Sequence, residues 1–590
     1  MTQTVPAALA RTVVERGDTP AYSDRHGAGD GWRTVTWSEL QHQAQDVAAG
    51  LVSLGLQPGD TVALMASNRI EHLVADIAVV HAGAIPMTVY ATLSPTQVSF
   101  IAGHSTPSVV VLEGQDQVER WAGSLDGVQH VVVLDPEVEL SGALRWQDLV
   151  KLGADVRTSD PSVLDAPLAT LTADSPVTVL YTSGTTGDPK GVVLTHGNVL
   201  FEAQASLTTA GITDAGTSIS YLPFAHIAER VLGLYIPQVL GGHVFLIDNP
   251  AALPATLGEV HPTRFFGVPR VWEKIMAGVA ARLAAAPNAA VDAALAVGLR
   301  WVESQQAGGS VPAELQAEYA EADRTVLSGL RALLGLDRVE WAASAAAPMP
   351  IEVARFFAGL GIIVYDVYGM TETTGSVTAN SPAGFVLGSV GRPQDGLSIS
   401  LAEDGEILVQ GPVVTPGYFR NPEATAALID ESGWLHTGDL GRLDEDGFLY
   451  VVDRKKEMII TSSGKNIAPS NIENLLKESP LVGHAFVAGE GKPYVVALLT
   501  LDAEAAPVLA ATMGLDGLSL AELAQHPVVQ AQVEQAVERA NDRLSRPEQV
   551  KRFVLLPDEW TPDSELTPTL KLKRRVVSAQ YAEVLEGLYA

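Results

Sequence analysis

Through most of the chain, short apolar runs alternate with stretches in which apolar positions recur at helical spacing, the pattern of strands layered against helices in β-α-β units. One unit is predicted from a strand at 339–343, through a helix opened by Pro350 with Val353, Phe356 and Phe357 on one face, to a strand at 362–367. Another takes a strand at 217–222 into a helix at 227–240 and then into a strand at 243–247. Ala-rich stretches at 279–301 and 313–334 have helical spacing and read as helices added to the same body, with no function attached to them. Residues 1–452 are thus expected to form one large α/β domain.

After about Gly433 the pattern changes. A strand around 438–441, a turn at Asp444, Glu445, Asp446 and Gly447, and a strand at 448–452 predict a hairpin that runs into the charged group Asp453, Arg454, Lys455, Lys456 and Glu457. Beyond it, strands near 458–461, 485–487 and 495–501, with helices at 470–478 and within 521–544, predict a small α+β domain over 453–590.

Composition narrows the function. The chain has 590 residues, and 38 Lys+Arg against 69 Asp+Glu leave a net charge of −31, so no nucleic-acid partner is expected and an anionic ligand must meet a local cluster of cations. With no cysteine there is no disulfide, no Cys-ligated metal and no thiolate nucleophile, so any thioester chemistry must take its sulfur from a ligand. The first 18 residues carry Arg11, Glu15, Arg16 and Asp18 without a sustained apolar run, so no secretory signal is expected. The longest apolar stretch, 231–247, is interrupted by Pro237, Gln238, Gly241, Gly242 and His243 and predicts no membrane span. The expected compartment is the cytoplasm, with at most peripheral contact with a membrane; oligomeric state is not legible.

The chemistry is carried first by the segment Tyr181, Thr182, Ser183, Gly184, Thr185, Thr186, Gly187, Asp188, Pro189, Lys190 and Gly191, placed between predicted strands at 177–180 and 192–195. Hydroxyls, glycine amides open to close approach and one lysine are what a loop needs to hold a polyphosphate. It is not a Walker loop, which needs Gly-Lys followed at once by Ser or Thr and then a helix. A plain flexible turn is the alternative, and the flanking strands together with Lys190 argue against it.

On these residues the chain resembles the adenylate-forming superfamily of acyl-CoA synthetases, luciferases and nonribosomal adenylation domains. Four further segments carry the resemblance in order, and two more add to it. Tyr368-Gly369-Met370-Thr371-Glu372-Thr373 resembles the second nucleotide motif, 433–440 with Asp439 the ribose-binding motif, and 453–457 the hinge, with Lys456 at the hinge position. Gly464, with Asn466, Ile467, Pro469 and Glu473, resembles the loop that follows. Ser344, Ala345 and Ala346 resemble the adenine-side loop, with Ala where Gly is commoner. The segment 566–575 resembles the one that holds a C-terminal catalytic lysine; matching the register puts that role on Lys571, with Lys573 as the alternative, because Leu570 stands where Gly is usual.

The resemblance implies an α/β fold: a large multi-layer N-terminal adenylate-forming domain and a small mobile α+β C-terminal domain. It implies ATP, Mg²⁺ and coenzyme A as cofactors or co-substrates, and these roles fit the residue types. An aromatic at Tyr368 can face adenine, the Thr371 hydroxyl can bond a phosphate oxygen, Glu372 can hold Mg²⁺, and Asp439 with Arg454 can take the ribose hydroxyls. The segments 221–230 and 267–274 resemble the long-chain fatty acyl-CoA synthetases, which makes a fatty acid the expected partner. His226 is read either as a gate of the acyl tunnel or as a packed or helix-capping histidine. The expected reaction is activation of a long-chain fatty acid to acyl-AMP and then to acyl-CoA. The alternatives are a fatty acyl-AMP ligase, an aryl or medium-chain ligase, or a non-catalytic nucleotide or lipid binder.

Overall fold

The computed structural model describes residues 4–27, 29, 31–182, 189–561, 564–567 and 571–590. Its N-terminal part layers helices on two sheets of five strands each. The first is parallel, with Thr61–Met65 between Ile85–Thr88 and Val109–Leu112, followed by His130–Val133 and Leu144–Arg145. The second runs parallel through Arg264–Phe266, Trp341–Ser344 and Val364–Met370, then turns antiparallel at Gly375–Ala379 and Arg392–Pro393. In the first sheet Thr61–Met65, Ile85–Thr88 and Val109–Leu112 are buried throughout, as strands of a parallel sheet are, and the predicted helix at Pro350 lies at Ile351–Gly359 with Val353 and Phe357 buried.

Two expectations about helices needed correction. The stretch 227–240 is not one α-helix: Ile227–Glu229 leads into a π-turn, Arg230–Tyr235, before Ile236–Leu240. Pro237 has no N–H to return to the Gly233 carbonyl, and that carbonyl instead accepts from Tyr22 Oη at 2.9 Å. The widened turn holds Arg230, which has no solvent exposure, on Asp76 through two bonds of 2.8 and 2.9 Å. The Ala-rich stretches are likewise broken, the first between Ala285 and Ala289 where Pro287 intervenes, the second by a π-turn at Asp323–Leu327.

The predicted hairpin is present as Leu435–Leu443 against Leu449–Arg454 in a four-stranded antiparallel sheet. Beyond it, the antiparallel pair Val482–Ala488 and Val495–Leu501, joined in parallel by Val550–Leu556, packs on helices Pro469–Lys477 and Pro527–Asp542. Ile472, Leu476, Val529, Val533 and Leu499 belong to a core drawn from residues 459–555 alone. Burying each such side chain contributes about 1.5–3 kcal/mol. No helix among the described residues is long and apolar enough to cross a membrane.

Candidate active site

The strand Pro176–Thr182 reaches further than predicted and pairs antiparallel with Lys190–Thr195, Thr182 opposite Lys190. Thr182 and Lys190, on either side of the predicted loop, are thus held in one ladder. Ser183, Gly184, Thr185, Thr186 and Gly187 lie outside the described residues. Lys190 stands exposed, its Nζ 4.8 Å from the centre of the Tyr418 ring. Tyr418 belongs to the short strand Gly417–Tyr418, which pairs with Lys190–Thr195, and its hydroxyl donates to Glu372 Oε1 at 2.8 Å. No sequence signal had singled out Tyr418, yet it joins Lys190 to Glu372.

Glu372 is held by a 3-10 turn, Thr371–Thr373, at the end of strand Val364–Met370. The Thr373 hydroxyl accepts from the Met370 N–H at 3.0 Å, and the Thr415 N–H donates to the Glu372 carbonyl at 2.9 Å. Gly369 is required here for a steric reason: a Cβ on it would lie 1.7 Å from the Gly375 carbonyl oxygen. Tyr368 is buried, and its hydroxyl donates to Asp439 Oδ2 at 2.8 Å. Asp439 Oδ1 lies 3.3 Å from Arg454 Nε, and the two residues are register partners across the hairpin. Burial raises the Asp439 carboxyl, while Arg454 pulls it back.

Lys571 enters from the C-terminal part. Burial first and the Arg454 charge second bring its ammonium down to about 8, against the opposing pull of Asp439, Glu457 and Glu372. Lys573 also lines the cavity and donates its Nζ to the Ser564 carbonyl at 3.1 Å, while the charge of Lys571 couples to those of Glu372 and Asp439. His226 caps the following helical turn, its Nδ1 accepting from the Ala228 N–H at 3.2 Å, and burial followed by Lys571 lowers it to about 3. It is thus the helix-capping histidine of one reading, placed in the cavity wall as the other requires.

One cavity of about 700 Å³ gathers Thr182, His226, Ala345, Ala346, Tyr368, Gly369, Met370, Thr371, Glu372, Asp439, Arg454 and Lys571. The same lining includes Leu207, Ile212, Ile219, Val231, Ile236 and Leu240, which together form its apolar arm. Ala346 adopts φ +78°, a left-handed conformation that explains why glycine suits this position. Ser344, Lys190, Lys456 and Gly464 are not in the wall. Ser344 is buried one residue behind Ala345, and its Oγ has no partner among the described residues. Lys456 and Gly464 are exposed on the C-terminal part.

The two parts meet through charges that sequence patterning did not disclose. Arg270, on helix Pro269–Ala285, bonds Asp502 at 2.7 Å and Glu559 at 3.1 Å. Its neighbour Glu273 takes Lys477 at 3.3 Å, and Lys274 takes Glu504 at 2.6 Å.

Comparison with known proteins agrees with the fold. Long-chain-fatty-acid–CoA ligase FadD15 of Mycobacterium tuberculosis is 36% identical over 592 residues, which cover 97% of this chain and 95% of that one. Long-chain-fatty-acid–CoA ligase ACSBG2 of Rattus norvegicus is 30% identical over 630 residues, 100% of this chain and 93% of that one. Among solved structures, the anthranilate CoA ligase AuaEII with anthranoyl-AMP superposes with a TM-score of 0.74 at 19% identity, covering 99% of this chain and 98% of the other. An AMP-binding enzyme model matches residues 9–419 and an AMP-binding enzyme C-terminal domain model residues 456–590. With both models matched in order and a cavity between them lined from each side, the chain belongs to the AMP-binding, adenylate-forming enzyme family.

Proposed function

We propose that this protein is a long-chain fatty acid–CoA ligase: it converts a fatty acid to acyl-AMP with ATP, then to acyl-CoA, releasing pyrophosphate and AMP. The observation that carries the reading is the Lys571 ammonium in a cavity shared with Glu372, Asp439 and Arg454, in a chain akin along its length to ligases named for long-chain fatty acids.

A carboxylate is a poor acyl donor because its charge repels nucleophiles and oxide leaves badly. In the first step a carboxylate oxygen bonds the α-phosphorus of ATP, and the bond to pyrophosphate breaks with its electrons on the leaving group. Lys571 would neutralise the charge that develops there, which is the largest contribution a fixed site can make to such a transfer. Asp439 and Arg454 would hold the ribose, Tyr368 with Ala345 and Ala346 the adenine, and the loop ending at Lys190, with Thr371, the phosphates.

Among the described residues no group of three or more acidic or histidine side chains forms a metal cage. A lone Glu372, with one oxygen engaged by Tyr418, suits a Mg²⁺ ion that takes one carboxylate and completes its shell with phosphate oxygens and water. Bound there, the ion would screen the triphosphate's charge. In the second step the coenzyme A thiol loses its proton, its sulfur bonds the acyl carbon, and AMP departs. On this reading residues 1–452 bind ATP and acid, and residues 453–590 form a cap that turns at 453–456 between steps, bringing Gly464 toward the thiol's path. The proposed setting is the cytoplasm.

The apolar arm supports a long chain, since each buried methylene contributes about 0.8 kcal/mol. Exchange of labelled pyrophosphate into ATP is the test. A long saturated or monounsaturated acid is expected to outperform benzoate and acetate, with acyl-CoA detected by mass once coenzyme A is added. A preference for benzoate overturns the acyl assignment, and absence of exchange with every acid overturns the whole reading.

A further inference from the structure

One polar cluster interrupts the cavity wall beside the apolar arm, and the chemistry above leaves it without a task. Glu202, on helix His196–Ala210, is 1% exposed and Gln394 is 3% exposed, and both line the cavity. Glu202 Oε1 accepts from the Ser376 N–H at 2.8 Å, from Ser206 Oγ at 3.1 Å and from the Ser376 hydroxyl. Having given its proton to Glu202, Ser376 Oγ accepts from Gln394, so the Gln394 amide nitrogen faces Ser376 and its oxygen is the other end. Two oxygens remain. Glu202 Oε2 and Gln394 Oε1 are buried with no hydrogen-bond partner among the described residues.

Buried polar atoms are normally paired, so two orphaned oxygens in the wall of a substrate cavity point to a partner that arrives with the substrate. Burial lifts the Glu202 carboxyl to about 7, so near neutrality Oε2 is protonated in much of the population and can donate while Gln394 Oε1 accepts. A hydroxyl both donates and accepts. An ammonium only donates and would leave the Oε2 proton without an acceptor, and a plain methylene would leave both oxygens orphaned. Val231, from the apolar arm, packs within 3.3 Å of where a Cβ on Gly375 would stand, and Glu202 Oε1 within 3.0 Å, which sets the cluster beside the apolar lining.

We propose that Glu202 and Gln394 form a specificity subsite for an acyl chain bearing a hydroxyl group, held between Gln394 Oε1 and Glu202 Oε2. This rests on the reading of the cavity as a fatty-acid site. The test is pyrophosphate exchange with palmitate and its positional monohydroxy isomers, using the wild type, Gln394→Leu and Glu202→Gln. One isomer is expected to match or exceed palmitate in kcat/KM while the others fall about tenfold or more below it. Gln394→Leu should cut the ratio of that isomer to palmitate about tenfold. Glu202→Gln keeps a donor near Oε2 and should cut it less, and it decides the matter alone where the leucine variant does not fold. No favoured isomer, or a favoured isomer whose ratio moves in neither variant, overturns the subsite. Failure of palmitate and of every isomer to support exchange overturns the underlying reading instead.

Discussion

Lys571 owes its lowered basicity to burial first and to Arg454 second, with Asp439, Glu457 and Glu372 opposing. Only its protonated form can neutralise a developing phosphate charge. As pH rises through about 8 the free enzyme loses that charge, so kcat/KM for adenylate formation is expected to fall on the alkaline side. Lys571→Arg keeps a charge at every accessible pH and should run slower without that alkaline fall, whereas Lys571→Ala should lose about a hundredfold or more of exchange. An alkaline limb that persists unchanged in the arginine variant contradicts the assignment. His226, held near 3, contributes no limb in this range. At this scale the sequence is legible where neighbours in the chain come to one cavity wall: Thr371 beside Glu372, or the run around Asp439. It was silent where the partner is remote. Tyr418 reads as the end of a strand until its hydroxyl is found on Glu372, 46 positions earlier. Glu202 reads as a solvated helical carboxylate until Ser376, 174 positions later, covers it.

Among elements, strands and helices followed hydrophobic spacing closely, and the misses are local irregularities that spacing does not encode. The π-turn Arg230–Tyr235 is the clearest, because its widening answers a proline in the next turn and a salt bridge to Asp76, 154 positions away. Since Arg230 is fully buried, Asp76→Ala would leave an uncompensated charge in the core and should destabilise the protein by about 3–5 kcal/mol, read from the urea midpoint. The double variant Asp76→Ala/Arg230→Met should recover much of that loss, because the stranded charge is gone. Equal loss in the single and double variants would show that shape rather than charge dominates there.

For the whole molecule, the orientation of the small C-terminal part is the arrangement least legible in the sequence. Arg270 and Asp502 lie 232 positions apart and carry no shared pattern. The Arg270 side chain is 12% exposed and that of Asp502 6%, whereas Lys274 is 39% exposed and its partner Glu504 71%. Arg270→Ala would leave Asp502, Glu559 and Glu273 facing one another and should loosen the contact, raising the rate of limited proteolysis near 453–464 about tenfold or more. Lys274→Ala should change it about twofold at most, and that change should fade in high salt. Equal sensitivity of both variants would place the hold elsewhere.

The rung that pairs Asp439 with Arg454 also has the Lys455 N–H bonded to the Gly438 carbonyl at 2.9 Å, and Asp453 bonded to Ser470 at 2.9 and 3.0 Å. Under the proposed function, the clasp on the sugar and the pivot of the lid are consequently one piece of ladder. On that reading, any swing of the lid would tug directly on the nucleoside's grip, making departure of spent AMP and reopening of the cleft a single mechanical event.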